Sequence, residues 1–314
     1  MPPAVGRGLT PARIRTNTDP GSPRSHLACV AMIKTLFIPA SGSDTDHSVF
    51  GTAHAIGAAC AAHLRFHHIH LSAGTAAPFA PHVDFAVGRG IAAALEELQQ
   101  SCETLAVNAF AHYRTFCETR QIPMQITPDE SRGVTASWSE DTNASVSRLL
   151  IHARHSDISV LGRPRNRDFM PSALIETLLT RSGRPIVLAP DSDAPQSIKT
   201  VVVGWKETPE AARALTAAMP LLEQASRVVL LSVAEDGAAS ESALTDLASQ
   251  LVWHGVSPEV RVCPAGELQT AAAQFHPDLV VVGGFGHGQF RERMFGGVTQ
   301  SLIYGAPFPV FMMH

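Results

Sequence analysis

No apolar run in the chain approaches the roughly 18 residues that a membrane-spanning helix needs, and only 6% of residues are aromatic, so a helical membrane protein is excluded. Cysteine is scarce. The five present (Cys29, Cys60, Cys102, Cys117 and Cys263) are an odd number with no CxxC pair, which argues against a disulfide framework or a cysteine–zinc site and fits a reducing cytoplasm. Positive charge is also lacking. A net charge of -4 leaves no broad cationic surface for a nucleic-acid backbone or anionic lipid. No HExxH motif, Ser-His-Asp order, paired carboxylates or nucleophilic lysine can be argued from spacing, so no catalytic residue is nominated.

Residues 1–31 lack the apolar core of a secretory signal. They carry prolines and Arg7, Arg13, Arg15 and Arg24 against one acid, Asp19, and read as a disordered leader. The remaining length suits two domains of about 150 residues. Repetition supports this division. HSDISVLG (155–162) parallels HPDLVVVG (276–283), RSGRPIVLAP (181–190) parallels YGAPFPVFMMH (304–314), and IKTLFIP (33–39) parallels IKTVVVG (198–204). Three matched apolar runs in one order point to an internal duplication.

Apolar strands alternate with alanine-rich helical stretches, the pattern of a parallel sheet covered on both faces. In the second half the pattern predicts strands at 199–204, 227–233, 258–263, 278–283 and 308–313. Helices are predicted at 209–222, 240–254, 267–275 and 297–304, with Thr208-Pro209 as a cap and first-turn pair. The first half holds about forty extra residues by the same periodicity, including a helical pattern from about Val87 to Thr119. PDSDAPQS (190–197) reads as a linker. The domains expected are therefore 32–190 and 198–314, joined by 191–197.

The stretch GGFGHGQFRERMFGGVT (283–299) connects the apolar strand 278–282 to a helix opening at Gly296-Gly297. Glycines admit close backbone approach, and the free N–H groups of a helix start attract anionic oxygen, so this stretch suits a phosphate. Gly283, two residues, Gly286, nine residues and Gly296 resemble the GxxG, nine-residue, G(S/T) loop of the universal stress protein family.

The resemblance covers nearly everything after Met32. It implies two tandem Rossmann-like domains of the adenine nucleotide alpha hydrolase-like kind, each with a parallel five-stranded sheet in the order 3-2-1-4-5. The implied role is regulatory or protective in the stress response, with ATP or another adenine nucleotide as the ligand of the second domain. Carried over, Gly283, Gly286, Gly296 and Gly297 surround phosphates, and Val298 and Thr299 supply N–H groups or a hydroxyl; His287, which lies inside this loop, reads as a donor to a phosphate oxygen or as simply exposed. In the family, edge strands and the final strand build dimers, so PVFMM (309–313) is the expected contact between halves or chains.

This chain also departs from the family's pattern. Gly297 stands where the family has Ser or Thr, and Lys206 where nucleotide-binding members have an aspartate after strand one. Lys206 meets a phosphate or forms a surface salt bridge; Trp205 stacks on a base or packs. In the first half Arg165 replaces the second glycine, Ser172 lies near the third, and Ser41 takes the aspartate position, so that half is expected to be structural. Arg163, Arg165 and Arg167 read as solvated or anion-attracting. SGSDTD (41–46) is loosely similar to the SGGxDS loop of ATP pyrophosphatases, against a plain capping loop for a helix near Asp46. An interaction module with silent pockets is the remaining alternative.

Four histidines, His63, His67, His68 and His70, invite a metal, but on a strand only His68 and His70 share a face, and two ligands are too few. No metal site is expected, and His152 and His155 are read the same way. Met32 directly precedes the first strand and is the expected start of translation. Intact-mass measurement of the native protein should return the mass of residues 32–314; the mass of residues 1–314 would refute that start.

Overall fold

The structure, a computed structural model, describes residues 33–70, 89–127, 133–142, 145–164, 172–233, 238–284 and 297–314. The leader lies outside the described residues, as do Arg165, Arg167, Gly286, His287 and Gly296. The first half contains β1 (Thr35–Pro39), α1 (Asp46–Cys60), β2 (His63–Ile69), α2 (Arg89–Thr119), β3 (Thr135–Asp141), α3 (Val146–Arg154), β4 (Ile158–Leu161), α4 (Ser172–Arg181) and β5 (Ile186–Leu188). The second half follows with β6 (Thr200–Trp205), α5 (Pro209–Leu222), β7 (Arg227–Val233), α6 (Ala238–Val252), β8 (Glu259–Cys263), α7 (Leu268–Ala273), β9 (Leu279–Gly283), α8 (Gly297–Gly305) and β10 (Val310–Met313). Thr208 caps α5 as its sequence predicts, its hydroxyl accepting from Ala211 N at 3.3 Å.

All ten strands form one sheet in the order β3-β2-β1-β4-β5-β10-β9-β6-β7-β8. Each half keeps the order 3-2-1-4-5, and within each half neighbouring strands are parallel. The halves join where β10 pairs antiparallel with β5, through Val310 with Leu188, Phe311 with Val187 and Met312 with Ile186. All six of these residues are fully buried. PVFMM is therefore the contact between halves. With β9 on its other side, β10 has no edge left for another chain.

Alternation along the strands sorts the core into two layers, both of which run through the joint. One layer takes Val187 and Phe311 with the apolar stripes of α1, α2, α5 and α6. The other takes Ile186, Leu188, Val310 and Met312 with α3, α4, α7 and α8. The duplication extends to polar detail. Asp157 accepts from Lys34 N at 2.8 Å and Thr35 N at 2.9 Å, and Asp278 accepts from Lys199 N and Thr200 N, both at 2.8 Å. In each half one carboxylate anchors the start of the first strand to that of the fourth.

Arg163 corrects its sequence reading: it is 2% exposed, neither solvated nor anion-facing. Its guanidinium crosses the joint and donates to Leu302 O, to Ile303 O at 2.7 Å and to Phe308 O at 2.9 Å. These carbonyls lie at and beyond the C-terminal turn of α8, where helix carbonyls lack internal partners and the helix dipole favours a cation. Burial pushes the Arg163 pKa down to about 10, with Asp191 acting against the shift. In the repeat, Gly284 occupies the position of Arg163. A Cβ on Gly284 would lie 2.8 Å from Leu179 Cδ2 in α4, so the two sides of the joint carry a large and a vanishing side chain. Truncation by Arg163→Ala removes bonds worth about 1.5–3 kcal/mol each when the donor is charged. It should lower unfolding stability by about 3 kcal/mol, read as a reduced urea midpoint.

Candidate functional site

The strand order places β6 beside β9, and from these neighbours the chain departs in opposite directions, β6 toward β7 and β9 toward β10. That is the switch point at which a doubly wound sheet opens a crevice beyond its carboxyl ends. The helices that follow, α5 and α8, pack on opposite faces of the sheet. Trp205 ends β6, Gly283 ends β9, and Gly297, Val298 and Thr299 form the first turn of α8. The structure thus brings these backbone positions to one end of the sheet, where the starts of α5, capped by Thr208, and of α8 meet.

Close packing accounts for Gly283. A Cβ there would sit 2.5 Å from Ala211 N and 2.8 Å from Glu210 C, so only glycine lets the first turn of α5 lie this close to the strand end. Trp205 is half-buried against the core, and its indole N–H donates to Glu207 Oε2 at 3.1 Å. Lys206 is exposed at the end of β6.

The equivalent place in the first half is filled from within. The Asp46 carboxylate, 1% exposed, accepts from Ser41 N at 2.8 Å, Ser41 Oγ at 2.7 Å and Gly42 N at 2.8 Å. His112 Nδ1, from α2, lies 3.0 Å from the same carboxylate. Gly42 has φ +76°, and a Cβ there would collide with the Leu105 carbonyl of α2. The backbone donors after β1 are thus spent on a side chain, and the helix of the insertion covers them. SGSDTD thus closes on its own anion, and Thr45 at the start of α1 makes no side-chain capping bond.

One part of the histidine reading, the sharing of faces along β2, is also corrected. His68 and His70 do share a face, their rings 4.9 Å apart, but His63 and His67, four apart, share the opposite one, reaching Ser137 and Ser139 of β3. There His67 meets donors from two further elements: Asp141 Oδ2 lies 3.5 Å from its Nε2 and 3.1 Å from His152 Nε2. Arg148 grips Asp141 with two bonds, 2.9 Å to Oδ2 and 2.6 Å to Oδ1, and chiefly these hold the carboxyl well below the usual carboxylate range. Burial, reinforced by His152 and opposed by Asp141, pushes the His67 imidazole down to about 4. Spacing along β2 carried no sign of this group, because its members come from β2, β3 and α3.

The architecture defines a class first: a doubly wound α/β protein made of two like halves fused into one sheet. Residues 258–314, spanning β8 to β10, match the model of the Universal stress protein family. A universal stress protein from Archaeoglobus fulgidus DSM 4304 has the same fold, with a TM-score of 0.59 at 14% identity over 89% of this chain and 95% of that one. A functionally unknown protein from Pseudomonas aeruginosa PAO1 superposes with a TM-score of 0.53 at 10% identity, over 90% of this chain and 93% of its own. A universal stress protein in complex with cAMP aligns over 37% of this chain and 97% of its own, at 19% identity and a TM-score of 0.30. No curated protein sequence matches the chain. The resemblance to the universal stress protein family is borne out over residues 258–314, and the likeness of fold extends over nearly the whole chain. Among the described residues no helix is long and apolar enough to cross a membrane.

Asp46→Ala should cost about 3 kcal/mol, because it strands two buried N–H groups that bond a charged acceptor. Sulfate or phosphate should restore part of that loss by occupying the same donors. Thermal melts of the variant with and without anion check both outcomes.

Proposed function

We propose that this protein is a cytoplasmic regulatory or protective factor of the stress response whose second half binds an adenine nucleotide, ATP foremost, in the crevice between α5 and α8. The observation that carries this reading is the convergence of two helix starts on the β6–β9 switch point, with the glycine stretch 283–299 leading into one of them. Gly286, His287 and Gly296 would join Gly283, Gly297, Val298 and Thr299 around the phosphates, and Lys206 would meet a phosphate oxygen. Residues 32–190 would form the first domain, 191–197 the linker and 198–314 the second. In this division the first domain, with Asp46 in place of an external anion, is the structural partner. A homodimer would use a surface other than β10.

One observation favours a second reading, an interaction module without nucleotide. The side chains after β6 are Lys206, a cation that cannot accept from a ribose, and Glu207, one oxygen of which Trp205 already engages. Ligand binding separates the two. Saturating ATP at about 100 times Kd should stabilise the folded protein by about 2.7 kcal/mol, a rise of several degrees in Tm. Gly286→Asp, which adds negative charge to the loop, should abolish that shift while leaving the unliganded melt unchanged. No shift for the parent protein, together with no nucleotide in its native mass spectrum, would favour the interaction module; pyrophosphate release would favour an enzyme.

A further inference from the structure

His67, Asp141 and His152 meet on the face of the sheet that carries α3, in the first half and away from the β6–β9 crevice. His67 is 2% exposed, and its Nε2 has no hydrogen-bond partner among the described residues. Its Nδ1 lies 2.8 Å from Ser139 Oγ, whose own hydroxyl is directed at Phe66 O, 3.5 Å away. In the tautomer whose Nδ1–H donates to this serine, the lone pair of the ring falls on Nε2. That lone pair faces a carboxylate oxygen at 3.5 Å, an arrangement of two acceptors that calls for a positive centre between them.

We propose that these three side chains form a binding site for one divalent cation of the zinc class, held by His67 Nε2, His152 Nε2 and Asp141 Oδ2. The three donor atoms lie within 4.8 Å of one another. Tetrahedral zinc with bonds near 2.0–2.1 Å sets its ligand atoms about 3.3 Å apart. The two separations from Asp141 Oδ2, 3.1 and 3.5 Å, straddle that value. A buried ring nitrogen without a hydrogen-bond partner and a carboxylate held in place by Arg148 are donors that such a cation can use. Three protein donors leave a fourth position for water or an exchangeable ligand, and His152 and Asp141 are partly exposed on the solvent side.

The second half shows that the fold does not need polar groups here. His63 pairs with Thr35 as Arg227 pairs with Thr200, so His67 corresponds to Leu231. The pairings of β3 and β8 bring Asp141 onto Cys263, and the repeat of His155 as His276 brings His152 onto Ala273. Leu231 and Cys263 are buried in the apolar layer and Ala273 packs against it. Where one half has hydrocarbon and a thiol, the other has two imidazoles and a carboxylate. Arg148 is the nearest opposing charge, and Arg65 on β2 adds to it. Arg148 holds Asp141 from outside through Oδ1 and Oδ2, orienting the carboxylate and weakening its attraction for a cation.

The test is cobalt titration of the full chain after chelator treatment and removal of the chelator, followed by visible absorption. One equivalent of Co2+ should give a saturable, intense tetrahedral band that Zn2+ displaces. His67→Ala and His152→Ala should each weaken binding about ten-fold or more. Arg148→Met should tighten it several-fold, which a merely structural cluster does not predict. His152 is less buried than His67, so its variant remains informative if His67→Ala does not fold. Absence of a saturable band, or a band unchanged in His152→Ala and Asp141→Asn, would overturn the proposal and assign any cobalt to other histidines.

Discussion

Antiparallel pairing of β5 with β10 is the constraint on which the rest of the molecule depends. Every other step in the sheet is parallel, and parallel strands need crossover helices on their faces; here one direct pairing turns two such units into a single sheet with two continuous cores. The joint consumes the edges that each half would otherwise present. The outer edges that remain, β3 and β8, carry charge: Glu140 and Asp141 on one, Glu259 and Arg261 on the other. Charged edges discourage further strand addition. Arg163 adds a second fastening, because a buried cation that bonds only carbonyls across the joint has no stable position if the halves separate.

Duplication has left the frame symmetric and the ends of the sheet different. Both halves anchor strand one to strand four through the same aspartate contacts, from Asp157 and Asp278. At the carboxyl end they diverge. In the first half Asp46 turns inward, takes the Ser41 and Gly42 donors, and is covered by α2. In the second half a glycine approach lets α5 close on β9 while the start of α8 faces the crevice. The insertion thus has a physical role: α2 supplies the wall over a site that the first half does not keep open.

Polar substitution at the far face of the first half follows the same logic of divergence. Burying imidazole and carboxylate among Phe37 and its neighbours is unfavourable unless each group finds a partner. Phe37 stacks on His152, with ring centroids 5.5 Å apart, Ser139 orients His67, and Arg148 orients Asp141. Each member of the cluster is positioned by a neighbour, yet Nε2 of His67 is left over. That unpaired atom, and not the presence of histidines as such, separates this cluster from the other histidine contacts of β2, each of which ends on a serine, threonine, carbonyl or glutamate partner.

What could be read without coordinates was whatever is local. Apolar runs of strand length, the Thr208-Pro209 start of α5, the pattern from Val87 to Thr119 and the repeated IKT and HxD segments determined element type, order and duplication, because backbone geometry imposes those periods on neighbouring residues. The glycine spacing at 283–296 likewise pointed to the family. Contacts between distant segments were decided by the tertiary structure alone. Arg163 reads as a loop arginine until β5 meets β10 and brings the end of α8 within its reach. Asp46 reads as a helix-start acid until the loop folds back and α2 covers it. His67 reads as one of a strand's histidines until β3 and α3 bring Asp141 and His152 to it. In each case the side chain's character depends on which strand is its neighbour and which face it takes, and both are set only when the sheet closes.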